Sequence, residues 1–358
     1  MLSHLSLIIP TFNRQKYAIR NMKYWSGSQV TVYVLDGSQS PIGKSQLNQL
    51  SSNIKYFHMQ CSCEKRLLFG INQVSTDFCV LLSDDEYHLP SALNKCILEL
   101  IADPFLAACT GRALGINFQN GRIVGYPVYP EMANYEISNI MPAERVISNF
   151  SPYQVASFYS VSRTTALKTA LKCVADNEYS PYNIGELQLE IAMKYQGKFK
   201  VLPFLMWLRS DECVPIRATD SPEKLRSDDY SVEYWWPNQS YKEDHGKFID
   251  SIVQNLSTSI QDQEYLKGIV VDAMDAYVRQ CNISFKSRIY RKMRKILPNF
   301  LLDSVKYFLL KIRQTRLSPK SSDSLFDAAV NLLNEGVFVD LNELKKVESS
   351  ISDFYNVN

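Results

Sequence analysis

The sequence contains little glycine, proline or histidine, and it has no long apolar run. With 13 glycines and 15 prolines in 358 residues, collagen-like and low-complexity classes are excluded. The longest apolar run, Val201 to Leu208, already includes Pro203 and is far shorter than the ~20 residues of a membrane span. The N-terminal residues show neither a basic region nor a small-residue cleavage site, so we expect no signal peptide.

The cysteines and histidines lack the spacing of a metal or redox site. None of the eight cysteines forms a C-x-x-C pair, and Cys61 and Cys63 form a C-x-C that no second Cys/His pair follows. The four histidines (4, 58, 88 and 245) show neither ligand nor triad spacing. We therefore expect reduced thiols in a cytosolic setting and no structural zinc site.

The alternation of strand and helix signals predicts the fold class. Apolar, β-branched runs alternate with helical periodicity, which is typical of βαβ units with a mostly parallel sheet flanked by helices. Strands are predicted at 5–9, 30–35, 54–58, 77–82, 155–161 and 199–208, and helices at 14–25, 44–51, 64–74, 90–101, 163–175 and 183–195. Residues 113–151 suggest loops and irregular strands, and helical periodicity dominates from Lys247 onward. We predict an α/β domain over 1–245 and a helical C-terminal extension over 246–358.

Polar side chains follow three of the predicted strands where each strand ends. Thr11, Asn13 and Arg14 follow the first strand, Asp36 follows the second, and 83–86 (Ser-Asp-Asp-Glu) follows the fourth. Ligands of such sheets bind at the carboxyl ends of the strands, so these residues are expected to meet at one rim. Adjacent carboxylates raise one another's pKa, and a bound Mg²⁺ or Mn²⁺ that bridges to a diphosphate relieves this cost. The competing interpretation is an acidic turn that caps the following helix.

These segments resemble a known enzyme family. LSLIIPTFNR, VYVLDGS and TDFCVLLSDDEYHLPSAL, in this order, are similar to the N-terminal half of the inverting family 2 glycosyltransferases of GT-A fold. The resemblance covers about the first 115 residues well and extends loosely to about residue 210. It implies a nucleotide-diphosphate sugar donor, a Mn²⁺ or Mg²⁺ cofactor, and a nucleotide-sugar pocket formed by Pro10, Thr11, Asn13, Arg14, Asp36, Lys65, Arg66 and Asp84.

The resemblance also implies metal ligands, with one departure from the family pattern. The spacing to Pro90 aligns Asp85 with the second Asp of the family's D-x-D motif and places Ser83 at the first. The alternative alignment matches Asp84 and Glu86 as D-x-E. Asp85 and Glu86 are therefore the predicted metal ligands.

An inverting transfer needs a base that takes the proton of the acceptor hydroxyl. The family supplies this base from an E-D pair near the start of a later helix, a location that residues 182–187 match. Gly185 replaces the first acid, which leaves Glu186 as the predicted catalytic base and Glu190, one helical turn on, as the alternative. Acids in the first turn of a helix are also favoured by its dipole alone.

The C-terminal extension contains a strongly basic amphipathic segment. Between residues 284 and 316 there are ten Lys/Arg and one Asp, a charge of +9 on a chain whose net charge is +2. The cations alternate with Leu, Ile and Phe, a pattern that favours an anionic membrane surface. Nucleic-acid binding is the rival interpretation, and self-association is the third. We predict a membrane contact and no nucleic-acid partner; oligomer formation stays open.

These features lead to one predicted function and two alternatives. The prediction is a metal-dependent, inverting glycosyltransferase that acts on a glycan or lipid-linked glycan precursor at the cytoplasmic face of the membrane. A glycosyltransferase-like scaffold protein without activity is the first alternative, because Ser83 and Gly185 stand where acids are expected. A sugar nucleotidyltransferase is the second, although PTFNR is not its glycine-rich phosphate loop.

Overall fold

The computed structural model describes most of the chain. The described residues are 1–154, 157–175, 179, 181, 183–213, 231–283 and 323–357. The basic segment 284–316 and part of the predicted 155–161 strand lie outside them. Among the described residues, no helix is both long enough and apolar enough to cross a bilayer.

Ten strands in the described residues form one sheet, in the order β3-β2-β1-β4-β9-β6-β10-β5, with β7 on β6 and β8 on β10. The pairs β1–β2, β1–β4, β2–β3 and β6–β10 are parallel, and β9 lies antiparallel between β4 and β6. The strands are β1 (Leu5–Thr11), β2 (Thr31–Asp36), β3 (Ile54–His58), β4 (Phe78–Leu81), β5 (Tyr87–His88), β6 (Leu106–Gln119), β7 (Arg122–Pro127), β8 (Glu136–Ile137), β9 (Val161–Arg163) and β10 (Lys198–Ser210).

Helices cover both faces of this sheet, which confirms the predicted fold class. They are α1 (Gln15–Trp25), α2 (Lys44–Leu47), α3 (Cys63–Gln73), α4 (Pro90–Ala102), α5 (Pro142–Phe150), α6 (Thr164–Val174), α7 (Ile184–Gln196), α8 (Val232–Trp235), α9 (Lys242–Leu256), α10 (Ile260–Ile283), α11 (Leu325–Asn334) and α12 (Leu341–Val357). The C-terminal part is helical, as predicted.

The central strands are apolar on both faces because helices cover them on both sides. In β1, Leu7 and Ile9 pack into the core that contains α1 and α4, whereas Ile8 packs into the core beneath α3, α6 and α7. A strand buried on both faces appears in the sequence as a continuous apolar run rather than an alternating one. Because β1 is parallel to β2 and β4, the carboxyl ends of these strands meet at one rim of the sheet, where Thr11, Asp36 and the residues after β4 lie.

The sequence-based prediction was wrong for the middle of the chain. Residues 113–151, interpreted as loops and irregular strands, contain most of a long hairpin of β6 and β7 and the helix α5. The glycines within this hairpin made the strands look irregular, but Gly115 is required by packing. A Cβ at Gly115 would lie 2.2 Å from the ring of Tyr126 on the partner strand. Close cross-strand packing is one reason for glycine inside a strand.

The C-terminal helices α11 and α12 pack on the edge of the sheet near β5 and β7. Leu344, Val347 and Ile351 of α12 are buried in a core that they share with Tyr87 and Leu89. Helix α4 starts at Pro90, and the residue before it, Leu89, offers no capping side chain.

Glu343 of α12 supplies this missing cap by accepting hydrogen bonds from the N–H of Ser91, at 2.9 Å, and from its hydroxyl, at 2.8 Å. The C-terminal helix therefore completes both the core and a helix end of the N-terminal region.

We expect the substitution Leu344→Ala to lower the free energy of unfolding by about 2–5 kcal/mol, because it leaves a cavity in this shared core. Leu341→Ala, a control in the first turn of the same helix where the side chain is 37% exposed, should cost much less. Chemical denaturation measures both. Equal losses in the two variants would contradict the packing of α12 on the sheet.

Candidate functional site

The predicted carboxylates form a buried cluster with residues that follow β1. Thr11 Oγ1 donates to Asp84 Oδ2 at 2.6 Å, and Arg14 Nε donates to Asp84 Oδ1 at 3.0 Å. Arg14 Nη2 donates to Asp84 Oδ1 as well and reaches Asp85 Oδ1 at 2.6 Å. Asp84 and Asp85 are only 3% and 4% exposed. Four predicted residues from two strand ends are thus in direct contact.

In this cluster, burial disfavours the ionised form of the carboxylates, and the positive charge of Arg14 favours it. Burial, together with the charge of Asp85, raises the pKa of Asp84 to about 6, although Arg14 and Thr11 favour the ionised form. Two adjacent carboxylates in such a place require a cation nearby. In the described structure Arg14 supplies one positive charge to the pair.

Asp36, at the end of β2, is fully buried and lies in a second pocket of the same rim. Its Oδ2 accepts hydrogen bonds from Gln15 Nε2 at 2.6 Å and from Tyr56 OH at 2.7 Å, and its Oδ1 accepts one from the N–H of Ser38 at 2.8 Å. Burial alone would raise the pKa of Asp36, but these hydrogen bonds lower it below its ordinary value. Asp36 is therefore an ionised acceptor at neutral pH.

The turn after β1 connects the two pockets. Asn13 has a left-handed backbone (φ 56°), and its N–H donates to Ser38 Oγ at 2.8 Å. Asparagine tolerates this conformation better than most residues. Pro10 is half-buried near the end of β1, and Asn13 is exposed. The turn aims Arg14 at the carboxylates and Gln15 at Asp36.

The structure separates the two predicted basic residues of α3. Arg66 is buried, and its Nη1 donates to the main-chain oxygens of Thr11 at 2.5 Å and Leu35 at 2.7 Å. It thus holds the ends of β1 and β2 together. A Cβ at Gly37 would lie 2.5 Å from the guanidinium carbon of Arg66, so the guanidinium packs closely against this glycine. Lys65 is exposed on the same helix. The nucleotide contacts predicted for Arg66 and Lys65 stay predictions.

Glu86, the other predicted metal ligand, bonds to a side chain of β10. Its Oε2 accepts a hydrogen bond from Trp207 Nε1 of β10 at 2.8 Å, and its side chain is buried. Burial, followed by the nearby charge of Asp85, raises the pKa of Glu86 well above its ordinary value. A bound divalent cation would oppose this rise, so the metal role of Glu86 stays a prediction.

Asp84 and Asp85 suit a divalent cation that takes only one or two of its ligands from the protein. Among the residues that the structure describes, no group of three or more His, Cys, Asp or Glu side chains could form a complete metal cage. Mg²⁺ typically binds one or two carboxylates and takes its other ligands from phosphates and water. Asp85, beside Asp84, matches this donor set, so the chemistry of the loop fits a metal that binds together with a diphosphate.

Glu186, the predicted base, lies in the first turn of α7 and is half-buried. Its Oε1 accepts a hydrogen bond from Tyr153 OH at 2.9 Å. Burial is the main cause that raises the pKa of Tyr129, and the charges of Glu86 and Glu186 raise it as well.

The glycine before Glu186 has a packing explanation. A Cβ at Gly185 would lie 2.9 Å from Val174 of α6, so this position lies against the neighbouring helix. Ser83, the other departure from the family pattern, contacts Tyr159 OH through its hydroxyl at 3.2 Å.

Glu190, the alternative base, has a structural role instead. It is fully buried and accepts hydrogen bonds from the N–H of Ser157 at 2.6 Å and from Lys194 Nζ at 3.0 Å. Lys194 also donates to Ser157 Oγ at 2.6 Å. A buried carboxylate that is paired with a lysine is poorly suited to take a proton, so this geometry favours Glu186, and the role of Glu190 stays a prediction.

Sequence reasoning overlooked two aromatic residues near the carboxylates. Trp207 stacks on Tyr129 with ring centroids 5.5 Å apart and an angle of 12°. Tyr129 has a left-handed backbone (φ 52°), which is uncommon for a bulky residue and is found at functional sites. Arg209 lies 5.9 Å from the Tyr129 ring and pairs with Asp211 at 3.3 Å. The P-V-Y-P sequence around Tyr129 offered a turn signal but no sign of this stack.

The other residues considered from the sequence are mostly core residues. His88 is fully buried in β5, which lowers its pKa to about 3 and keeps the ring neutral. Trp235 is fully buried, whereas Trp236 is half-buried and donates its indole N–H to Asp275 at 2.8 Å.

Comparison with known proteins supports the resemblance found in the sequence. Residues 6–145 match the model of the family described as Glycosyl transferase family 2. No curated protein sequence matches the chain significantly.

Among solved structures, the chain is similar to residues 1–349 of Staphylococcus aureus TarS, with 15% identity, a TM-score of 0.41, and 78% of this chain and 90% of that chain covered. The TarS complex with UDP-GlcNAc gives 15% identity, a TM-score of 0.44 and 78% and 91% coverage. The TarS complex with UDP is 17% identical, with a TM-score of 0.40, and the match covers 78% of this chain and 90% of that chain.

Likenesses at this level of identity and TM-score support no argument about activity. The family match stands on its own, and it spans β1 to α5 with all of the strand ends that form the carboxylate and Asp36 pockets. Residues 6–145 therefore match glycosyl transferase family 2, and the predicted resemblance is confirmed over this segment.

Proposed function

We propose that the protein is a metal-dependent, inverting glycosyltransferase that uses a nucleotide-diphosphate sugar as donor. The observation that carries the proposal is the contact of Thr11 and Arg14 with Asp84 and Asp85, beside the Asp36 pocket. All of these residues lie within the family 2 segment. A scaffold protein without activity has no need for buried carboxylates at this rim, and packing accounts for Gly185.

The two pockets divide the recognition of the donor between them. Asp36 is ionised and fixed by three hydrogen bonds, and a carboxylate has room to accept further donors from a ribose hydroxyl or a base N–H. Asp85, with Asp84 beside it, would hold Mg²⁺ or Mn²⁺, which neutralises negative charge on a diphosphate when bound. Arg14 keeps both carboxylates oriented toward the same side of the loop.

Glu186 is the proposed general base. The acceptor O–H bond breaks as its proton moves to the carboxylate, and the acceptor oxygen bonds to the anomeric carbon of the donor. The bond from that carbon to the diphosphate oxygen breaks, and the electron pair leaves with the nucleoside diphosphate. Tyr153 orients Glu186, and the Tyr129–Trp207 stack offers an aromatic surface for a sugar acceptor near both carboxylate groups.

For the acceptor and the location of the enzyme, the proposal rests on the basic segment 284–316. Its charge and its apolar residues favour peripheral binding to an anionic membrane, with a glycan or lipid-linked glycan precursor as acceptor. The proposed location is the cytoplasmic face of that membrane.

We expect Asp85→Ala to abolish Mn²⁺-dependent binding of nucleoside diphosphates while the fold stays intact. Asp77→Ala is the matched control. Asp77 precedes β4, whereas Asp85 follows it, and the side chain of Asp77 is 73% exposed. Calorimetric titration with and without Mn²⁺ measures the effect. Unchanged Mn²⁺-dependent binding in Asp85→Ala would exclude Asp85 as the metal ligand.

We expect Glu186→Gln to lower turnover by about 10²–10⁴-fold with little change in donor affinity, because the amide cannot accept the proton. Glu144→Gln is the control, since Glu144 is also an acid in the first turn of a helix, α5. It should retain wild-type turnover. Wild-type turnover in Glu186→Gln would remove this residue from the mechanism.

We expect the substitution of Arg291, Lys292, Arg294 and Lys295 by glutamine to weaken sedimentation with vesicles that contain phosphatidylglycerol. Each cation near an anionic surface contributes about 1 kcal/mol, and high salt should weaken binding without abolishing it because apolar burial remains. These substitutions are preferable to truncation near residue 282, which would also remove α11 and α12 from the core. Equal sedimentation of both proteins, or none, would contradict the membrane proposal.

A further inference from the structure

We propose that Arg20 is a positioning residue for Asp85 and that the C-terminal helix α12 holds Arg20 in place. The C-terminal helix would then help to position a residue of the donor site. The inference rests on the proposed function of Asp85 and adds the elements that fix its main chain.

The guanidinium of Arg20 contacts both Asp85 and a buried partner. Its Nη2 donates to the main-chain oxygen of Asp85 at 3.0 Å. Nη1 and Nη2 also donate to Glu212 Oε1 and Oε2, at 2.8 and 2.7 Å. The side chains of this pair are only 2% and 1% exposed. A bidentate pair of this kind is geometrically rigid, so the Asp85 carbonyl is bonded to a rigid group.

Aromatic rings surround the same guanidinium, and one of them belongs to α12. The Arg20 guanidinium carbon lies 4.9 Å from the ring centroid of Phe354, 5.1 Å from that of Tyr17 and 5.4 Å from that of Tyr87. Each distance is within the range of a cation–π contact, which is strongest where water is excluded.

The neighbouring residue of α12 acts on the acidic partner. Burial would raise the pKa of Glu212, but hydrogen bonds from Arg20 and from the Tyr355 hydroxyl lower it. The Tyr355 ring stacks on Phe118 of β6, with centroids 3.9 Å apart. Phe354 and Tyr355 thus contact the two members of the ion pair, one each.

Two further contacts join α12 to the chain just after Asp85. Tyr87 OH lies 3.0 Å from Ser350 Oγ, and Glu343 accepts the hydrogen bonds from Ser91 described above. The carboxylate of Asp85 is held by Arg14, from the N-terminal side of the rim. Its carbonyl is held through Arg20, from the side of α12. The position of Asp85 therefore depends on residues more than 250 positions apart in the sequence.

The test uses two conservative variants of the full-length chain and one control in the same helix. Phe354→Leu keeps an apolar side chain but removes the ring face toward Arg20. Tyr355→Phe keeps the stack on Phe118 but removes the hydroxyl bonded to Glu212. Leu344→Ala is the control, because Leu344 is buried near the start of α12, whereas Phe354 and Tyr355 lie near its end.

Two measurements are made well below the unfolding temperature of every variant. The first is the Mn²⁺ concentration that gives half-maximal binding of UDP, and of GDP in parallel. The second is amide hydrogen exchange of peptides that cover residues 83–89, without nucleotide. We expect Phe354→Leu and Tyr355→Phe to raise the required Mn²⁺ concentration by about fivefold or more. We also expect faster exchange at residues 83–89, with β1 unchanged.

The control separates positioning from general stability. Leu344→Ala should lower stability the most and leave the Mn²⁺ requirement close to that of the wild type. A double-mutant cycle with Arg20→Lys should be non-additive, since the residues act as one unit. An equal effect of Leu344→Ala, or wild-type behaviour of Phe354→Leu and Tyr355→Phe in both measurements, would overturn the proposal.

Failure of the proposed function gives a different result. In that case the wild type binds neither nucleotide at any Mn²⁺ concentration, and hydrogen exchange alone decides the inference. Faster exchange at 83–89 in Phe354→Leu but not in Leu344→Ala would still support the connection between α12 and Asp85. Unchanged exchange would overturn it.

Discussion

The burial of two adjacent carboxylates, Asp84 and Asp85, is the constraint on which the candidate site depends. Burial makes an ionised carboxylate costly, and a like charge next to it adds to the cost. The fold brings Arg14 and Thr11 to the side chains and Arg20 to the main chain, all from β1, the turn after it or the helix that follows. The proposed function accounts for this arrangement, because a further cation at this rim would offset the cost of the two carboxylates.

The C-terminal helices also support this carboxylate site, in addition to packing on the sheet. Helix α12 caps α4, shares a core with β5 and contacts Arg20 through Phe354. The part of the chain outside the family 2 match therefore supports the segment that carries the carboxylates. A boundary near residue 245 describes the change in sequence pattern, but in the folded protein α11 and α12 pack on the sheet of the N-terminal region.

Much of the N-terminal half could be predicted from the sequence because its signals are local. Continuous apolar runs mark strands with two buried faces, and Pro90 marks a helix start, so the rim with Thr11, Arg14, Asp36 and Asp85 followed from topology. The remaining features depend on contacts between distant residues, which no local pattern records. Glu86 bonds to Trp207, 121 positions away, and Glu190 accepts a hydrogen bond from the main-chain N–H of Ser157, 33 positions away.

The central claim is that this rim binds a nucleoside diphosphate together with a divalent cation. Calorimetric titration of the full-length protein with UDP, GDP, ADP, CDP and TDP, each with and without Mn²⁺, tests it most directly. The account predicts that at least one nucleotide binds and that Mn²⁺ strengthens its binding. Absence of binding by all five nucleotides, with and without the cation, would contradict it.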